Sequence, residues 1–324
     1  MFKRLITCSL ILSSLQAISC NNVDLELKAD KTIKQLYHSQ IIKPKSDLTT
    51  RIDIISAQFL DQPYLLGALG EGTEGHYDNT PLYRVDAFDC ETYVDTVLAL
   101  AFAEDAAMFK QCIRKIRYKE GDVSFINRNH FTCLDWNKNN QKQGFLKDIT
   151  TSFRAKDGRI YSKTAYALID KPSWYQHFTA AIIRINDSTP DEQTKRLAAL
   201  KQKGQKLSRT LSKTPYIPLN VLFDKAGQPN MHLFNQIPNG AIIEIVRPNW
   251  DLQQQIGTHL NVSHLGFAIR KNGILMFRAA TSSNHRIMDC PLIDYLRGTQ
   301  KSPTIKGINI QIALSGTSSR CQQQ

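Results

Sequence analysis

The stretch Asp89-Cys90-Glu91-Thr92-Tyr93-Val94-Asp95-Thr96-Val97-Leu98-Ala99-Leu100-Ala101 constrains this chain most. Its apolar residues Val94, Val97, Leu98 and Ala101 recur at helical spacing, and Cys90 lies on the same stripe. Asp89 stands where an N-cap belongs, with Glu91 in the first turn. The pattern predicts a helix that begins at Cys90 and buries one face. Free N–H groups and the positive end of the helix dipole favour a thiolate there. A thiolate is the attacking species in cysteine catalysis. The structural alternative is a small apolar residue on a buried face, and this stretch alone leaves both open.

The second half of the chain reads as sheet. Ala241 to Val246 is a β-branched run of strand length, introduced by a turn at Pro238-Asn239-Gly240. Ser263 to Lys271 runs into Asn272-Gly273 and resumes as Ile274 to Ala280. Asn-Gly between two such segments is a strong hairpin signal. A two-residue turn pairs Lys271 with Ile274, so Gly266 faces Ala279 and His264 faces Thr281. Helices are expected over 51–60, 105–120 and 191–211, and a strand at Thr179–Ile183. Residues 20–48 are polar and Lys-rich and suit a tether.

The N-terminus reads as an export signal over 1–19, with Lys3 and Arg4 before an apolar run from Leu5 to Leu15 and small residues at Ala17 and Ser19. Cys20 follows at once, so attachment to a membrane through a lipid on Cys20 stands beside a soluble exported form. Either way the protein is expected in the bacterial periplasm or cell envelope. Without Lys3 and Arg4 the 41 basic residues become 39 against 29 acidic ones, a net charge of +10. Such a charge suits anionic surfaces, but the basic residues are scattered and carry no nucleic-acid motif, so no nucleic acid is expected. The cysteines left after export show no CxxC pair and no metal-ligand spacing, so neither a metal nor a cofactor is expected.

Arg128-Asn129-His130-Phe131 with Asp135-Trp136 has the composition of a loop that handles a polar ligand. Arg128 suits a carboxylate, Trp136 a sugar ring, and His130 and Asp135 hydrogen bonds. The alternative is that Arg128 and Asp135 pair and shape the loop.

A helix-initial cysteine followed by a strand-initial histidine is the order of papain-like peptidases and amidases. The chain resembles the NlpC/P60 cell-wall cysteine hydrolases and, within them, the N-acetylmuramoyl-L-alanine amidase-like branch. Pro63-Tyr64 with Gly67 and Gly70, Asp89 to Val94, the Arg128 loop, Thr214 to Pro218 with Pro238 to Ile243, and His264-Leu265-Gly266-Phe267 carry the resemblance. It implies an α+β, papain-like fold with the cysteine helix packed on an antiparallel sheet that carries the histidine. It further implies a single monomeric amidase domain over 49–315, elaborated at about 120–235, and hydrolysis of an amide in peptidoglycan or muropeptides. Cys90 would be the nucleophile and His264 the base, with Tyr64 lining the cleft.

One departure matters. The branch places a histidine at position 279 to orient the catalytic one, and here Ala279 cannot accept a hydrogen bond. Thr281 opposite His264, a group from another loop, or weakened catalysis are the alternatives. The leading function is cleavage of the N-acetylmuramoyl-L-alanine bond. Its rivals are an endopeptidase acting between D-glutamate and the diamino acid, and a catalytically weakened envelope-binding protein.

Overall fold

One antiparallel sheet carries the architecture. Its strands are β1 (Leu146–Asp148), β2 (Lys163–Asp170), β3 (Arg209–Pro218), β4 (Ala241–Leu252), β5 (Thr258–Lys271), β6 (Ile274–Thr281), β7 (Arg286–Pro291) and β8 (Gly307–Ala313). They lie in the order β2-β3-β8-β4-β5-β6-β7, and β1 adds to β8. The structure is a computed structural model that describes residues 22–39, 46–186, 188–316 and 318–322. The expected export signal at 1–19 and Cys20 lie outside the described residues.

The helices are α1 (Asn22–His38), α2 (Leu48–Ala57), α3 (Cys90–Phe102), α4 (Ala106–Arg117), α5 (Asn137–Lys142) and α6 (Lys171–Gln176). There follow α7 (Pro190–Gln205), α8 (Leu219–Leu222), α9 (Met231–Gln236), α10 (Gln253–Ile256), α11 (Leu292–Thr299) and α12 (Ser318–Gln322). Among the described residues no helix is long and apolar enough to cross a membrane.

Strand side chains alternate between the two faces of a sheet, and both faces here are covered. Leu265, Phe267 and Ile269 of β5 pack with Val94, Val97 and Leu98 of α3. Ala268 of β5, Phe277 and Ala279 of β6, and Ile243 and Ile245 of β4 pack on the other side with Leu292 and Leu296 of α11. The Asn272-Gly273 hairpin forms in the expected register, Lys271 opposite Ile274 and Phe267 opposite Arg278.

Three local expectations change. The cysteine helix is buried on all sides from Thr92 to Phe102 rather than on one face. The sheet lies under it, α2 and α4 flank it, and Trp136 caps its polar flank. Arg51 of α2 closes its far end by donating from Nε to Ala101 O at 2.8 Å, where helix carbonyls lack partners. Within the stretch expected as tether, Ala29, Ile33 and Leu36 make a buried stripe that folds 22–38 as α1. The strand expected at Thr179–Ile183 is a single 3-10 turn, Ala180–Ile182. The N–H groups of Ile182 and Ile183 bond locally, to Thr179 O and Ala180 O, which closes the segment into a turn instead of extending it as a strand. Cys112 of α4 and Cys321 of α12 form a disulfide, a pairing the spacing did not predict.

Candidate active site

The start of α3 is built by reciprocal capping. Asp89 accepts from Thr92 N–H at 2.8 Å, and Asp89 N–H donates to Thr92 Oγ1 at 2.9 Å. The second Asp89 oxygen accepts from Gly67 N–H at 2.9 Å. Gly67 holds φ at +64°, a conformation that suits glycine. The glycine loop is thereby tied to the helix cap. Tyr64, at the root of that loop, donates its N–H to His285 O at 2.9 Å. Its half-buried phenol is pushed up to about 12, chiefly by burial, and its backbone bridges to Phe88, two residues before Cys90.

Cys90 is the first residue of α3, as the sequence predicts. Its surroundings in the fold oppose the expected bias toward thiolate. The N–H groups of Leu265 and Glu91 do favour the charged sulfur. Burial, followed by the carboxylates of Asp89 and Glu91, outweighs them and pushes the thiol well above its ordinary range. The Leu265 contact brings the sulfur to the β5 residue that follows His264.

His264 sits at an irregularity in β5. Ile245 pairs with His264 but Val246 pairs with Val262, so Ser263 bulges. Bulges re-aim neighbouring side chains. The imidazole packs edge-on to Phe277, 5.6 Å between centroids, and lies 6.3 Å from Tyr295 of α11. Burial lowers its pKa to about 4. Among the described residues no hydrogen bond holds this ring. Ala279 is buried beside Gly266, where an added Cβ would stand 2.7 Å from the Ala279 methyl. Only glycine lets β5 and β6 approach so closely there.

Thr281 lies beyond the paired part of the β5–β6 hairpin, and its expected contact with His264 is not among the hydrogen bonds of the described residues. The β5–β6 ladder ends at Phe267–Arg278, and β6 goes on to pair with β7, Thr281 opposite Arg286. The Thr281 hydroxyl is occupied in the following turn, 2.8 Å from Ser283 Oγ and 3.3 Å from Asn284 Oδ1.

The loop at 128–136 buttresses α3 rather than opening to solvent. Trp136 is wholly buried and donates from Nε1 to Asp95 Oδ1 at 2.6 Å. Thr132 donates to Glu91 Oε2 at 2.6 Å. Arg128 does not pair with Asp135. It donates to Asp78 at 3.0 Å and lies over the Phe125 ring, while Asp135 pairs with Lys171 at 2.7 Å. His130 bonds Phe125 O at 2.7 Å and packs against Trp174. Of the residues assigned to substrate, Tyr64 lies near Cys90, and the other four each bond within the protein, although Arg128 Nε and Asp135 Oδ2 are buried without a partner.

Sequence reasoning passed over two groups. Tyr295 packs near His264, 6.3 Å between ring centroids, and against Phe277 at 4.9 Å. Glu91 and Asp95 lie four apart on α3 and both are raised by burial, Asp95 to about 7, with Asp95 raising Glu91 further. Their spacing next to Cys90 was a readable signal. Among the described residues no His, Cys, Asp and Glu cluster could hold a metal ion.

Comparison with known proteins follows this geometry. The family model described as N-acetylmuramoyl-L-alanine amidase-like matches residues 54–305. A crystal structure of a protein from Legionella pneumophila is 52% identical, with a TM-score of 0.88 over 91% of this chain and 97% of that one. An N-acetylmuramoyl-L-alanine amidase from Bacteroides uniformis is 22% identical, with a TM-score of 0.58 over 83% of this chain and 99% of that one. A structure named a putative xylanase from Bacteroides fragilis is also 22% identical, with a TM-score of 0.53 over 79% and 98%. The last two likenesses speak for the fold alone. A search of curated proteins found no match.

Proposed function

Because the chain belongs to the N-acetylmuramoyl-L-alanine amidase-like family, we propose that it is an exported, papain-like cysteine amidase of the NlpC/P60 type. Its reaction is hydrolysis of the amide between N-acetylmuramic acid and L-alanine in peptidoglycan or muropeptides. The observation that carries this reading is Cys90 at a helix start, its sulfur beside the N–H of the residue that follows His264. The Cys112–Cys321 disulfide suits an oxidising compartment.

Burial holds both partners neutral at rest, thiol above its usual range and imidazole below. The proton therefore leaves Cys90 for His264 as the sulfur attacks the lactyl carbonyl, rather than beforehand. N–H groups at the helix start receive the negative charge that forms on the carbonyl oxygen. His264 then gives its proton to the departing L-alanine nitrogen as the carbon–nitrogen bond breaks. Water adds to the thioester, and the free lactyl acid and thiol are released.

Cys90→Ala should lower turnover of purified muropeptides at least about a thousandfold, as removal of a nucleophile does elsewhere. Mass spectrometry should find a sugar with a free lactyl acid. Near-wild-type rates in Cys90→Ala would overturn the mechanism, and a product still bearing L-alanine and D-glutamate on the sugar would assign an endopeptidase instead.

A second reading, an envelope-binding protein with weakened catalysis, draws on the raised thiol and on an imidazole without a hydrogen-bond partner among the described residues. Muropeptide binding with no turnover in the intact chain would favour it.

A further inference from the structure

We infer that Arg247 forms a carboxylate-binding subsite on the His264 side of the cleft, which grips a free carboxylate on the peptide portion of the substrate. This rests on the function proposed above for the identity of the ligand, while the subsite itself stands on geometry.

Ile245 of β4 pairs with His264 of β5, so the two side chains share a face of the sheet. The β4–β8 ladder runs without interruption from Ile242–Gln311 to Val246–Gly307. Arg247 follows Val246 past the end of this ladder, where β4 and β5 slip register, and its bond to Thr304, next to Ile305 of the cluster that holds Ile245, sets it on that side. Its guanidinium stacks on Trp250, 4.2 Å from the ring centroid, and one Nη donates to Thr304 Oγ1 at 3.2 Å.

The rest of this guanidinium is unspent. Its Nε is buried without a partner. Among the described residues no carboxylate pairs with it. Arg128 and Arg184 share the buried, unpartnered Nε but meet Asp78; Arg117 meets Asp95, Arg278 meets Asp53 and Asp289, and the buried Arg51 meets helix carbonyls. Burial works against the Arg247 charge, and Tyr295, which lies beside His264, works for it.

A half-sheltered cation with no protein anion is costly unless a ligand completes it. A guanidinium held over an indole, with its second Nη unbonded beside a buried and unpartnered Nε, offers a charge-assisted donor to a carboxylate. A peptide in which glutamate is linked through its side chain keeps its α-carboxylate free, and this is the group the subsite would take.

Binding to the full chain carrying Cys90→Ala tests this without turnover. The probes are N-acetylmuramoyl-L-alanyl-D-glutamate and its isoglutamine amide, which differ only in that carboxylate, titrated by calorimetry. The acid should bind about tenfold more tightly than the amide, the range of one charge-assisted contact. Adding Arg247→Gln should erase the preference, and Arg247→Lys, a charge without the fork, should keep part of it. With Cys90 intact, Arg247→Gln should raise KM for the acid and leave kcat nearly unchanged. Equal binding of acid and amide, binding of neither, or a preference that survives Arg247→Gln would overturn the subsite. If the preference appears but the intact chain cleaves neither compound, hydrolysis fails and the subsite stands. If both are cleaved with equal kcat/KM, the subsite fails and hydrolysis stands.

Discussion

Cys90 and His264 are held in place by different physics. Around Cys90 the restraints are polar and redundant: the Asp89–Thr92 capping box, the Gly67 N–H on Asp89, Thr132 on Glu91 and Trp136 on Asp95. Around His264 they are steric: a bulge at Ser263, the Phe277 edge and the Tyr295 ring. A hydrogen-bonded site fails when one donor or acceptor is lost, because its partner is left buried and unmet. A packed site fails by degrees as volume is removed. The cysteine side should therefore respond sharply to single polar changes, and the histidine side to changes in shape.

The strongest way to break this contrast is Trp136→Ala. The change empties a wholly buried volume and leaves Asp95 Oδ1 without its indole donor. It should cost about 3–5 kcal/mol of stability, read from denaturant unfolding. A loss below about 1 kcal/mol would mean the loop is not the buttress described. Little effect on stability with a large rise in KM would return Trp136 to the substrate.

Proton linkage sharpens the contrast, since the two sides have opposite signs. The folded pKa of His264 is lowered to about 4. Above the ordinary imidazole value of about 6.5 its ring is neutral in both states and costs nothing. As pH falls from there toward 4, the unfolded chain takes up a proton that the folded chain refuses, and stability is lost. Asp95 is raised to about 7. Its stabilising share is present in acid and is lost as pH rises through that value. Between about 4 and 6.5 the two groups act in the same window with opposite signs, so the melting temperature should change little with pH there. In His264→Gln it should fall as pH rises, and in Asp95→Asn, which still accepts from Trp136, it should fall as pH drops. A pH profile that His264→Gln leaves unchanged would remove the argument that the ring is buried neutral. For catalysis, the base should stay competent well below pH 6.

Asp89→Ala comes next in size. It removes the acceptor for both Thr92 and Gly67. The cap should cost about 1–2 kcal/mol. Because the same carboxylate ties down the loop that carries Tyr64, kcat should fall too, and Asp89→Asn should recover most of the stability. Loss of stability with kcat intact would show that the loop does not depend on the cap.

Much of the cysteine side was legible because its signals are local. Asp89, Cys90 and the apolar stripe after them fall within one helix, and Asn272-Gly273 sets a hairpin register within a few residues. What failed was non-local. Trp136 and Arg128 read as ligand-handling residues because nothing near them in sequence reveals Asp95, forty-one positions earlier, or Asp78, fifty earlier. The thiolate expectation counted the helix start, which is local, and missed desolvation, which the whole fold supplies. Tyr295 comes to His264 from a helix beyond β7, and no pattern around either residue announces the meeting.

Thr281 gives the smallest effect and tests the histidine side most directly. Extending the hairpin register past Arg278 puts Thr281 opposite His264, where its hydroxyl would orient the ring. The ladder instead ends at Phe267–Arg278, and the hydroxyl is spent on Ser283 and Asn284 in the β6–β7 turn. Thr281→Val keeps the side-chain volume and removes the hydroxyl. A residue that positions a general base should cost tenfold or more in kcat when lost, since such bases supply about a hundredfold or more. If the hydroxyl serves only a half-exposed turn, kcat/KM should stay within about twofold and stability should fall by about 0.5–1 kcal/mol. The acid limb of the rate profile should not move. A tenfold loss of kcat with a shifted acid limb would mean that Thr281 reaches the imidazole in the working enzyme, and that His264 is held by a hydrogen bond after all.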